Sequence, residues 1–253
     1  MNFASVPDCT FVSAWATQSG LLLGQRKVRD KSNELTAVPE LLRALELAGC
    51  IVTADALHCQ KNIAKEIKQA DADYVLARKG NQGTACSEVK AFLDDAIQRK
   101  ESHLVFTETT DKGHGRVEVR RYWQTQKLEW FADRPEWEGL RSVGVVEARR
   151  TVHGKQSVER RYYLSSLGND AEKFARAVRG HWGVENQLHW VLDVIFGEDQ
   201  SRARSGYAAE NPAQTRHLAI NLLRRDKTSQ RGIKGKLLPA AIDPDYLKAL
   251  LKN

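Results

Sequence analysis

Apolar residues in the first hundred positions fall into short runs parted by polar turns. TFVSAWA at 10–16 and LLLGQRKV at 21–28 are β-prone and flank the turn Thr17-Gln18-Ser19-Gly20, so they predict a β-hairpin. Over 36–48, Val38, Leu41, Leu42 and Leu45 recur at helical spacing, with Pro39 in the first turn, where proline is tolerated, and Gly49 as a stop. CIVTAD at 50–55 predicts a short strand ending in an acid. A helix follows over 60–70, a strand over 73–78 (DYVLAR), a polar turn at Lys79-Gly80-Asn81-Gln82 and a helix over 86–98. Strand and helix in alternation predict an α/β layer with some parallel pairing.

From 103 to 165 the pattern changes to short β-prone runs, HLVFTET, RVEVRRYW, SVGVVEARR and ERRYYLSS, punctuated by Gly113, Gly115, Gly139, Gly144 and Gly154. Alternation of Val117, Val119 and Arg121 against Arg116, Glu118 and Arg120 predicts antiparallel strands with one solvated face, a β-rich insertion. The last third is helical. One segment starts near Asn169, read as an N-cap with Glu172 three residues on, and runs toward Phe196 with Gly180 and Gly183 as points of bending. A second helix spans 211–225 behind Asn211 and Pro212, and a short one spans 245–251.

Composition narrows the class. A chain of 253 residues with 42% apolar content can bury a core, which excludes disorder throughout. No apolar run approaches 18 residues, so no transmembrane helix is expected, and no basic start followed by an apolar stretch marks a secretory signal. The formal net charge of +7 favours an anionic partner. Cys9, Cys50, Cys59 and Cys86 form no C-x-x-C pair and read as reduced thiols of a cytoplasmic protein, not as a zinc site.

Two acids stand in unusual places. The apolar line Phe174, Val178, Trp182, Leu188, Leu192, Ile195 has Glu185 at its gap. A carboxylate on an inward stripe is costly unless it is paired or metal-bound. The alternative reading is a structural ion pair with His181 or His189, one turn either side. Asp55 closes an apolar strand at its C-terminal end, where open α/β sheets bind ligands; taken alone, a turn or helix cap is the favoured reading. Carboxylates converging from different elements repel by on the order of 4 kcal/mol per pair at ~4 Å and an effective dielectric of about 20. Such a cluster takes up protons or a hard cation, Mg²⁺ or Mn²⁺, and two such ions suit phosphodiester chemistry.

The string VRGHWGVENQLHWVLDVIFGEDQSRAR at 178–204 resembles the C-terminal signature of DDE transposases of bacterial insertion sequences, in the ISAs-type branch that includes the H-repeat-associated proteins. GQRKVRDKSNELTAVPELL (24–42), TADALHCQKNIAKEI (53–67), LARKGNQG (76–83), GHGRVEVR (113–120) and RYYLSS (161–166) extend the resemblance over nearly the whole chain. It implies a ribonuclease-H-like α/β core begun by residues 1–100, a β-rich insertion at 101–166, and a C-terminal helical part at 167–253 carrying the last catalytic acid. It further implies binding of element-end DNA, with metal-dependent cleavage and strand transfer by a nucleoid-associated protein, dimeric on paired ends. On this mapping Asp55 matches the second catalytic Asp and Glu185 the catalytic Glu, both as Mg²⁺ or Mn²⁺ ligands. Lys79, Asn81, Gln82, His114, Arg116, Arg179, His181, Asn186, His189, Arg202 and Arg204 become DNA-contacting positions, although each taken singly reads more readily as a surface polar residue. Trp123, Trp130 and Trp137 suit stacking on an unpaired base, but packing within the insertion is the favoured reading.

The family's first catalytic Asp lies in a D-G-K-T-x-R motif on the central strand of the core, and no such string occurs among these residues. Asp8 lacks the following Gly-Lys. The expectation is therefore a truncated transposase, inactive alone, or a reading frame assigned too late a start. The alternative is a non-catalytic DNA-binding remnant that modulates an intact transposase. A zinc hydrolase built on His181, Glu185 and His189 is a third and weaker reading, because the H-E-x-x-H order is missing.

Overall fold

The computed structural model describes residues 10–28, 34–78, 84–113, 116–201 and 210–252. The chain divides into two compact units, Glu46–His181 and the combination of Met1–Leu45 with Trp182–Asn253.

The first unit is built on one six-stranded sheet. Its strands are β3 (Ile51–Ala54), β4 (Asp73–Arg78), β5 (Val105–Gly113), β6 (Arg116–Thr125), β7 (Ser142–Val152) and β8 (Lys155–Ser165), in the order β3-β4-β8-β7-β6-β5. β3 and β4 are parallel, as a strand–helix–strand connection through α2 (Lys61–Gln69) requires, and every other pair is antiparallel. The strands expected as an insertion thus continue the sheet of β3 and β4, because Val75–Arg78 pair with Tyr162–Ser165. On one face α3 (Thr84–Gln98) packs through Val89, Leu93 and Ala96. On the other lies α4 (Ala171–Val184), whose Phe174, Ala175 and Val178 meet Val75, Tyr122, Val146 and Tyr163. Gly144 lets the Phe174 ring lie against β7, since a Cβ there would stand 2.7 Å from a ring carbon.

Paired polar groups inside this unit fix where α4 begins. Gln124 donates to the Ser142 hydroxyl, which donates to the Leu167 carbonyl, and the Gln124 carbonyl accepts from the Asp170 N–H. The N-cap is Asp170, not Asn169: its carboxylate accepts from the Lys173 N–H at 2.8 Å. Beyond Val184 the helix widens into π-helical turns at Glu185–His189 and Val191–Ile195.

In the second unit the hairpin of β1 (Thr10–Ala16) and β2 (Leu21–Val28) forms a sheet of its own, turning at the predicted residues. α1 (Glu34–Arg43) packs on it and ends short of the expected Ala48, so Leu45 follows in a turn. α5 (Glu210–Arg225) closes the edge of β2, with Asn221 donating to and accepting from the Leu22 backbone. Leu22, Leu188, Val191, Leu192 and Ile220 make the core. α6 (Ile233–Ile242) and α7 (Pro244–Lys252) follow, tied down by Lys236, which donates to the Leu223 and Asp226 carbonyls, and by Tyr246, which donates to Asp226.

His217 on α5 is buried, and burial pushes its imidazole down to about 4 from the usual 6.5, with Arg216 adding to the effect. A folded-state value below the unfolded one means that the unfolded chain takes the proton first. Stability from this group is complete above pH 6.5 and is lost as the pH falls toward 4, at on the order of 1.4 kcal/mol per pH unit. Between pH 7 and pH 5 wild type is expected to lose about 2 kcal/mol more than His217→Gln, read from urea melts at both pH values.

Candidate active site

β3 is short because Asp55 ends it. Asp55 has extended backbone and caps a single 3₁₀ turn, Ala56–His58, accepting from the His58 N–H at 3.3 Å. The same oxygen, Oδ1, receives the His58 Nδ1 at 2.8 Å. The bond to the Asp55 carboxylate puts a proton on His58 Nδ1, since a carboxylate only accepts, and Nε2 is buried with no hydrogen-bond partner among the described residues. The hydrogen bond from His58 holds the Asp55 carboxyl below the usual carboxylate range; partial burial opposes this, and the charges of His58 and His181 add to it. Asp55 is therefore an ionised carboxylate, 59% exposed, whose Oδ1 is held from one side. The cap reading and the ligand reading of the sequence are compatible, because the cap occupies one oxygen only.

His181 brings the end of α4 to the same strand, with Nδ1 3.2 Å from the Thr53 hydroxyl, two residues before Asp55. Arg179, half a turn earlier, pairs with Asp111 of β5 at 2.7 Å. Glu185 opens the first π-helical turn, a local widening that recurs at functional sites; of Glu185 and Asn186 only the backbone is described. The π turn from Glu185 to His189 breaks the α-helical stripe on which the zinc reading of His181, Glu185 and His189 depends. Among the described residues no group of three His, Cys, Asp or Glu could hold a metal ion.

Arg116 lies at the start of β6, 3.6 Å from Glu118. His189 is exposed. Lys79, Asn81, Gln82, His114, Arg202 and Arg204 lie outside the described residues. Trp137 is buried beside the Arg78 guanidinium, and Trp130 stacks on Phe92, so both serve packing; Trp123 lies against the exposed Phe106. Cys50 and Cys59 form no disulfide, and none of the described helices is long and apolar enough to cross a membrane. His58 was not anticipated from sequence. The signal was present as an Asp followed three residues later by a His at the close of a strand, the spacing of a cap.

The ionised Asp55 carboxylate is an oxygen donor of the kind a hard cation takes.

Comparison with known proteins gives the lineage. The chain is 41% identical over 247 residues to "H repeat-associated putative transposase YhhI" and, at the same identity and length, to "Putative protein YbfL", both of Escherichia coli (strain K12). Each match takes in 95% of this chain and 65% of the relative, so the chain spans about two thirds of the length of these curated relatives. A solved piggyBac transposase synaptic complex with hairpin DNA is 13% identical, with a TM-score of 0.37, over 93% of this chain and 46% of that one. The family profile described as Transposase DDE domain matches residues 11–222, and the chain belongs to that family.

Proposed function

We propose that these residues form the larger part of an insertion-sequence transposase that binds element-end DNA and cuts and rejoins phosphodiesters with divalent metal. Asp55 and Glu185 are two of its ligands, and Mg²⁺ or Mn²⁺ is the ion. The observation that carries the reading is the Asp55 carboxylate, ionised and held by His58 at the C-terminal end of β3. Divalent ions held by these carboxylates would supply activation of the attacking oxygen and stabilisation of the leaving one.

The fold is read as ribonuclease-H-like with its first strand outside these elements. β1 and β3 each keep one edge without a strand partner among the described residues, while the outer edge of β2 is closed by Asn221. In the family resembled, the strand that bears the D-G-K motif is central to this core. Lys79, Asn81, Gln82, His114, Arg116, Arg179, His181, Asn186, His189, Arg202 and Arg204 are proposed to hold the DNA backbone. The protein works at the nucleoid, as a dimer on paired ends.

The test is nicking of a duplex carrying the element end, by this chain and by a version extended upstream in its own reading frame. The extended form is expected to nick with Mg²⁺ or Mn²⁺ and to stop with EDTA. DNA binding by both forms with nicking by neither identifies a non-catalytic remnant. Nicking unaffected by EDTA overturns the metal reading.

A further inference from the structure

The distal half of the six-stranded sheet carries an unusual arrangement of charge. Register puts side chains of β8, β7, β6 and β5 in rows across one face: Lys155, Val152 and Arg116; then Ser157, Arg150, Glu118 and Asp111; then Glu159, Ala148, Arg120 and Thr109. Glu118, at the centre, is 2% exposed. Arg120 donates to it at 2.6 Å and to Asp111 at 2.7 Å, and Arg120 is itself largely buried. That pair already neutralises the buried carboxylate.

Two more guanidiniums nevertheless converge on it, Arg150 at 3.4 Å and Arg116 at 3.6 Å, each about half exposed. Arg179 reaches Asp111 from α4. Three cations around one carboxylate repel one another unless an anion is supplied from outside. Adding Arg161 with its partner Glu159, and Lys155, this face holds six cations against three carboxylates. On the opposite face Arg121 is matched by Glu108, and Arg149 and Arg160 by Glu147 with Asp94; with Lys112 that face holds four cations against three carboxylates. The larger positive excess therefore belongs to the face on which α4 lies.

We infer that Glu118 is the anchor of a preorganised arginine fan in which Arg116 and Arg150 bind the phosphate backbone of duplex DNA. Arg116 and Arg150 sit on neighbouring strands, diagonal to each other at about 7–8 Å between backbones, so they engage separate phosphates of one strand. Held from behind by a buried carboxylate, each guanidinium has lost part of its rotamer freedom before DNA arrives, which lowers the cost of binding. Contacts of this kind position the duplex and carry no sequence information. The inference rests on the DNA-binding reading above and extends it to a surface.

The experiment measures the affinity of the full chain for a labelled duplex of about 30 base pairs (roughly three helical turns) and arbitrary sequence, by anisotropy, across a KCl series. Arg116→Gln with Arg150→Gln is expected to lower the slope of log K against log salt by about 1.8 and to weaken binding by roughly tenfold to a hundredfold. Arg121→Gln with Arg149→Gln, on the opposite face, leaves both values unchanged. Arg116→Lys with Arg150→Lys keeps the salt slope and guards against a folding defect, which circular dichroism checks in each variant. Binding by wild type with the same slope in both glutamine pairs overturns the fan and leaves the DNA-binding reading intact. Failure of wild type to bind duplex at all overturns both.

Discussion

Phe174→Ala is expected to cost the folded chain about 3–5 kcal/mol, read as a drop in the urea midpoint. Phe174 is fully buried on α4, edge-on to Tyr163 at 5.5 Å and to Tyr122 at 6.4 Å between ring centroids. Truncation removes the ring's apolar burial and both edge contacts, and it leaves a cavity floored by β7 that a backbone in a six-stranded sheet cannot collapse to fill. The reverse perturbation arises at Gly144, where an added methyl meets two ring atoms of Phe174 at 2.7 and 2.9 Å and the Trp123 carbonyl at 3.1 Å. Gly144→Ala is expected to cost about 1–3 kcal/mol by overpacking. Because the clash is with the ring, Phe174→Leu in the Gly144→Ala background is expected to cost less than it does in wild type, a coupling that a double-mutant cycle measures. Equal costs in both backgrounds mean that the strain at Gly144 comes from the Trp123 carbonyl, not from the ring. The consequence reaches function, since α4 is the element that carries His181 to Thr53.

The hairpin and β4 were legible to the residue, because strand runs bounded by polar turns leave little freedom of register. Local pattern also marked the four strands from 105 to 165, but not that they extend the sheet of β4. That pairing is set by the meeting of Val75–Arg78 with Tyr162–Ser165, some ninety residues apart, which no local periodicity records. α6 went unseen for a physical reason. Its start, Ile233-Lys234-Gly235-Lys236, and Pro239 within it present neither a clean apolar stripe nor strong helix formers, and the helix is held by Lys236 donating to carbonyls at the end of α5 and just after it. At the candidate site, Glu185 is legible because a carboxylate in the gap of an apolar helix line is costly without a partner, and Asp55 because it closes an apolar strand at the end where α/β sheets bind ligands. Their supports were not legible. His58 holds Asp55 through a turn, and an isolated His looks the same in sequence whether it is solvated or engaged; Glu118, on the distal sheet, is hidden likewise as one of an alternating series.

Asp55→Asn is expected to lower metal-dependent cleavage by the upstream-extended form by about a thousandfold. A metal that polarises a phosphoryl oxygen and activates the attacking water supplies several kcal/mol, and each 1.4 kcal/mol is about tenfold in rate. The amide keeps the shape of the cap and can still accept from the His58 N–H, so melting temperature and metal-free DNA affinity stay close to wild type, which separates ligand loss from unfolding. His58→Ala tests the next level. It removes the Nδ1 hydrogen bond at 2.8 Å and leaves the backbone one at 3.3 Å, so the Asp55 carboxyl returns upward toward its ordinary range and its orientation loosens. Loss of an outer partner of this kind costs about 10–100-fold in metal affinity. Mn²⁺ titration followed by electron paramagnetic resonance reads this directly on the 253-residue chain, with no need of turnover. His58→Asn, whose side-chain N–H falls near the position of Nδ1, is expected to recover much of the loss, and a merely structural imidazole would not be replaced in this way. Unchanged Mn²⁺ binding in both Asp55→Asn and His58→Ala would remove Asp55 from the ligand set and, with it, the reason for reading this turn as a metal centre.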